Sequence, residues 1–186
     1  MPIIRGERTG ATLTTERRDA LHRRLEAEFA GESSPGGPVI FEIPIDGTDR
    51  LDILVVWPEF DGLRSEERTQ LIFGAYPGDR GRIAQFLGVT YAEVLEQNLL
   101  PYAVIPMARR GEADDAKLRA AMLEEGGLIL PGDRIDLRFP TMAMAQSAHR
   151  RLCEKMPNGY WSMSIPPWGS SSTSTTTTTT MPPSSV

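Results

Sequence analysis

The stretch LDILVVWPEFDGLRSEERTQLIFGAY, residues 51 to 76, sets an apolar run, a Pro/Asp/Gly turn and a Ser-started helical pattern end to end. From Ile53 to Trp57 both faces are apolar, which reads as a buried, central strand rather than a half-solvated one. Ser65 opens the helix. Glu66 and Glu67 fall in its first turn, where negative charge is favourable, and Leu71, Ile72 and Ala75 recur towards a core. A strand feeding a helix in this way places the middle of an α+β domain here, and names no chemistry.

Working outward towards the N-terminus, Asp46-Gly47-Thr48-Asp49 supplies turn residues, so Val39 to Ile45 pairs with the run from Leu51 as a hairpin. Pro44 places that first strand at an edge or at a strand end. Before it, Thr14 and Thr15 cap a helix reaching about Ala30, with Leu21, Leu25 and Phe29 at i, i+4 and i+8. Gly31 and the SSPGGP run at 33 to 38 stop it.

In the other direction, Pro77-Gly78 ends the helix, and two short helices are expected at Arg80 to Leu87 and Tyr91 to Asn98. From Tyr102 the order is strand (to Met107), helix (Asp114 to Glu125), strand (Leu128 to Leu130), strand (Ile135 to Phe139), helix (Thr141 to Met156) and strand (Tyr160 to Ile165). That β-α-β-β-α-β order is the ferredoxin-like one. Met142, Ala145, His149, Leu152 and Met156 form the stripe of the second helix. The expected architecture is therefore α+β. A flexible arm (1–13) precedes an α-β-β-α-α helix-hairpin-helix half (14–100), packed on a ferredoxin-like half (101–166). Residues 167–186, rich in Ser, Thr and Pro with six consecutive Thr, read as a disordered tail, since such a composition cannot offset its ordering entropy.

Composition excludes several functions. A chain of 186 residues, 40% hydrophobic and 24% charged, is ordinary for a soluble globular protein. No apolar run reaches the roughly 18 residues of a membrane span, and no apolar signal core opens the chain, so a cytoplasmic location is expected. The single Cys153 forms no internal disulfide and has no thiolate companions for zinc. No metal and no cofactor are expected. The net charge of -5 disfavours nucleic acid, although residues 1 to 24 carry six Arg against three acids.

The segments that invite a chemistry are weighed in turn. IAQFLGVTYAEV, residues 83 to 94, resembles a helix-turn-helix, yet its second helix would present Glu93 and Glu96 to phosphate, so a structural helix pair is preferred. Pro77-Gly78-Asp79-Arg80-Gly81-Arg82 offers an anion loop, with Arg80 and Arg82 as binding residues, but lacks the phosphate-loop glycine spacing. Asp46, Asp49 and Asp52 recur every third residue without a calcium-loop pattern. Glu59 and Asp61, beside Trp57, are the candidate acid/base carboxylates if buried. His149 and Cys153 are one helical turn apart, and a packed thiol is preferred to a nucleophile. The strand Arg134 to Phe139 has one aromatic and no RNA-stacking pattern.

RRLEAEF at 23 to 29, a Pro/Gly connection, a hairpin ending in ILVVWPEFDGL, and Arg68 within a helix finishing near Tyr76 resemble the BolA-like α-β-β-α-α-β arrangement over residues 16 to 107. The resemblance makes Tyr102 to Met107 its third strand and implies a partner-binding fold. Thr69 and Tyr102-Ala103 stand where that family has His, so its iron-sulfur role is not carried over.

The function expected is noncatalytic: an interaction module or auxiliary subunit binding a protein partner or a second copy. Tyr160, Trp161 and Trp168 are expected as exposed aromatic anchors, because aromatics and Arg dominate interfaces. The alternatives are an enzyme gathering Glu59, Asp61 and Arg in a cleft between the halves around a small anionic substrate, and nucleic-acid binding through the Arg-rich arm.

Overall fold

The computed structural model describes residues 14–32, 35–106, 115–130, 135–156 and 161–164. The arm at 1–13, Tyr160, Trp168 and the tail lie outside the described residues. The chain divides into two compact units between Glu96 and Gln97. Both mix helices and sheet, so the protein is α+β.

In the first unit α1 (Thr15–Phe29) starts where expected, with Thr14 Oγ1 accepting the Arg17 N–H at 3.3 Å. Leu21 and Leu25 are buried and Phe29 packs against the same core. The helix ends by geometry rather than by composition alone. Gly31 takes φ +84°, and the N–H groups of Gly31 and Glu32 turn back onto the carbonyls of Glu28 and Ala27, a paired closure that needs the left-handed residue.

Strand β1 (Val39–Pro44) pairs antiparallel with β2 (Leu51–Val56), Phe41 opposite Leu54 and Pro44 opposite Leu51. β1 is an edge strand of a three-stranded sheet, as Pro44 required. β2 is central, and Ile53, Leu54, Val55 and Val56 are all buried. Ile53 and Val55 share one core with Leu25, Trp57, Phe60, Leu71 and Ile72. A tight turn at Pro58–Phe60 then leads to α2 (Ser65–Ala75), where Glu67 Oε2 accepts the Arg64 N–H at 2.9 Å.

The segment after α2 differs from expectation. Residues 83 to 89 are strand β3 (Ile83–Val89), parallel to β2, and only Arg80–Arg82 make a helical turn. Ile83, Phe86 and Leu87 sit at i, i+3 and i+4 and imitate a helix, but a seven-residue apolar run has no periodicity that separates helix from buried strand. Tertiary pairing decides it, because β2–α2–β3 forms a crossover whose return strand completes the sheet. Gly88 permits the approach: a Cβ there would lie 2.9 Å from Arg68 Cβ and from Phe60 Cε2. The helix-turn-helix reading of 83 to 94 therefore fails, since its first helix is this strand, and only α3 (Tyr91–Glu96) remains helical. The sheet's third strand is also not Tyr102 to Met107.

That segment instead opens the second unit as β4 (Tyr102–Pro106). It is followed by α4 (Asp115–Leu123), β5 (Leu128–Ile129), β6 (Leu137–Phe139), α5 (Met142–Lys155) and β7 (Trp161–Ser164). The sheet order β5-β6-β4-β7, antiparallel at each pairing, is the ferredoxin-like order that the sequence predicted. Thr141 caps α5, and Ala145, Ala148 and Leu152 are its buried residues, whereas Met142 is exposed. Ala148 replaces Met142 in the expected stripe, because the first turn of α5 lies at the rim of its packing face.

Candidate functional site: a groove at two helix ends

The C-terminal ends of α1 and α2 lie side by side in the first unit and frame an open groove of about 660 Å³. Glu26 and Ala30 come from α1, Gly74, Ala75 and Tyr76 from the end of α2, and Pro77 to Gly81 from the loop that follows. Close approach of the two helices depends on Gly74, where a Cβ would meet the His22 ring at 2.9 Å. His22 Nδ1 in turn lies 3.4 Å from Glu26 Oε2.

The loop itself is not an empty anion cradle. Asp79 Oδ1 accepts the Gly81 N–H at 2.9 Å, so the chain places its own carboxylate where an anion would bind. Arg80 reaches back instead, its Nη2 donating to Gly74 O at 3.1 Å and Tyr76 O at 3.5 Å. The same guanidinium lies 4.6 Å from the centroid of the Phe73 ring. It thus neutralises the carbonyl end of α2 and stacks at once. Arg82 Nε donates to Asp49 O at 2.9 Å, tying the loop to the β1–β2 turn.

Behind Arg80 runs an aromatic ladder. Phe73 meets Phe86 edge-on at 5.6 Å, Phe86 meets Tyr76 at 5.7 Å, and Tyr76 meets Phe29 at 5.4 Å. Such contacts add to plain burial. Phe29, Tyr76 and Phe86 are partly or fully buried, but Phe73 remains 46% exposed. Burial, reinforced by the charges of Glu42 and Asp79 against the opposing pull of Arg82, pushes the Tyr76 phenol above its ordinary pKa, so it stays neutral.

The other sequence candidates fall elsewhere. Glu59 and Asp61 are exposed on the turn after β2, and it is their main-chain carbonyls, not their carboxylates, that accept Arg17 Nη2 at 3.2 and 3.5 Å. The burial that an acid/base role required is not met there. Trp161, expected to be exposed, is half-buried in β7, paired with Pro106 of β4, because it lies within a sheet rather than on a tail. Among the described residues no group of three or more His, Cys, Asp or Glu side chains converges at metal-holding distance.

Two ionic clusters were not identified from the sequence. Buried Arg68 donates from Nη1 to Glu93 Oε2 at 2.6 Å and to Gly88 O at 3.2 Å, and from Nε to Leu63 O at 3.0 Å. Glu93 also accepts the Thr90 N–H at 2.7 Å, capping α3. Burial pushes the Glu93 carboxyl up, but the bonds from Arg68 and Thr90 outweigh it and hold the pKa below the usual value. Thr90-x-x-Glu93 is a capping box that the sequence did display. In the second unit, the buried Glu125 carboxylate is held by Arg151 and, at 2.7 Å, by Lys155, and these donors likewise overcome burial to lower its pKa. Cys153 Sγ lies 3.9 Å from His149 Nε2, yet burial and the charge of Glu154 push the thiol up, the opposite of a nucleophile's activation.

Both clusters hold elements together and leave each carboxylate ionised, so neither is poised to exchange protons near neutrality. The groove and its aromatic rim are the remaining surface with anchoring chemistry. No helix of the described residues is long and apolar enough to cross a membrane. Family models, curated proteins and solved structures all yield no match to the chain.

Proposed function

We propose that this protein is a noncatalytic interaction module of the cytoplasm that docks a protein partner, or a second copy of itself, on the groove face of its first unit. The carrying observation is Phe73, a large aromatic left 46% exposed at the rim and held in place by the Arg80 guanidinium. An aromatic and an Arg that are already ordered lose little entropy on binding and are the side chains that dominate interface energies. The partner-binding role implied by the BolA-like resemblance supports the same reading.

Phe73→Ser tests it, since the ring contributes little to the core and the variant should fold. Wild-type protein should recover a stoichiometric partner from native lysate, or self-associate in sedimentation, and the variant should lose at least about tenfold in affinity, the loss typical of an anchor. A strictly monomeric wild type without a partner, or capture that survives the substitution, overturns the proposal.

A further inference from the structure

We infer that the groove selects a basic segment of its partner, seating a Lys or Arg side chain between the ends of α1 and α2. This rests on the docking reading above and specifies the chemistry of what docks. The ends of two helices carry partial negative charge into one hollow, and neither helix has a basic residue in its last turn. Glu26 and Asp79 add two carboxylates to the lining.

The chain shows what this chemistry accepts. Arg80 supplies a guanidinium to the α2 end, bonded to Gly74 O and Tyr76 O and stacked on Phe73. Across the groove, the α1 end beside Glu26 offers the same kind of surface and receives no such cation from its own nearby arginines. Arg23 turns to Asp19 O at 3.3 Å and Arg24 to Pro35 O at 3.1 Å. The vacancy is therefore for a positive charge, and the Asp79 carboxylate in the loop disfavours an anion at the same place.

The test uses the full chain and a dye-labelled peptide of alternating Arg and Gly, followed by fluorescence anisotropy, with a Glu/Gly peptide for comparison. Glu26→Gln with Asp79→Asn removes both charges but keeps acceptors for His22 and for the Gly81 N–H. Glu16→Gln with Glu66→Gln makes the same charge change in the first turns of α1 and α2, at the opposite helix ends. Binding of the Arg peptide should weaken about three- to tenfold in the first pair and not in the second, as expected for exposed ion pairs. It should also weaken as salt rises. Equal weakening in both pairs, equal binding of the Glu peptide, or full competition by equimolar 1,4-diaminobutane overturns the inference. Failure of the Arg peptide to bind, while Phe73→Ser still loses its partner, overturns it too and leaves the docking reading standing.

Discussion

Replacing Glu93 by Ala should be the most damaging polar substitution in the first unit. Arg68 is 8% exposed, and its guanidinium has Glu93 as its anionic partner at 2.6 Å. Breaking a buried pair from one side typically costs about 3–5 kcal/mol, because the remaining charge stays desolvated. Glu93's own side chain is 26% exposed and two main-chain carbonyls still accept from Arg68, so water and those carbonyls offset part of the loss. Removing the Thr90 contacts adds about 1 kcal/mol of lost capping. The expected total is about 2–4 kcal/mol, measured by urea unfolding of the full chain with a probe in the first unit. The sign with pH follows from the lowered folded pKa. The stabilisation is complete above the unfolded carboxyl's value near 4.5 and disappears as pH falls through the folded one, so wild type and variant should converge in acid. Arg68→Met in the Glu93→Ala background should recover part of the stability, since it removes the stranded charge. A cost for Glu93→Ala below about 0.5 kcal/mol, the range of an exposed pair, refutes the reasoning. So does a double variant no more stable than Glu93→Ala.

Gly88→Ala should destabilise by about 1–3 kcal/mol through overpacking, because its new methyl would meet Arg68, Phe60 and Ile72 at 2.9–3.0 Å; a neutral result by thermal melting would mean that α2 shifts freely over β3. Cys153 should react with a maleimide at pH 8 more slowly than the same thiol in urea-unfolded chain, since burial raises its pKa and hinders access; equal rates would show an open, unperturbed thiol.

The candidate site was legible only in fragments. Arg80 and Arg82 stood out as a glycine-flanked basic loop, but their spacing says nothing about their acceptors, which lie on the end of α2 and on the β1–β2 turn. Phe73, by contrast, looked like one more apolar residue of the α2 stripe LIFGA. That it faces water is set by the position of β3, since Phe86 of that strand supports one side of its ring. Arg68 and Glu93 are 25 residues apart, and no local pattern joins them.

What the chain determined by itself were the features whose causes are local. Caps at Thr14 and Thr141, the Asp46-Gly47 turn, the edge position of Pro44 and the doubly apolar β2 follow from side-chain hydrogen bonding, backbone freedom and hydrophobic period. The whole βαββαβ order of the second unit could be read for the same reason. Tertiary structure decided what depends on a distant neighbour. Ile83 to Val89 became a strand because β2 had an open edge and Gly88 let α2 lie close above it. The groove exists because Gly74 admits His22, bringing two helix ends together. Local physics assigns elements their form, whereas pairing and approach choose which ends and faces meet.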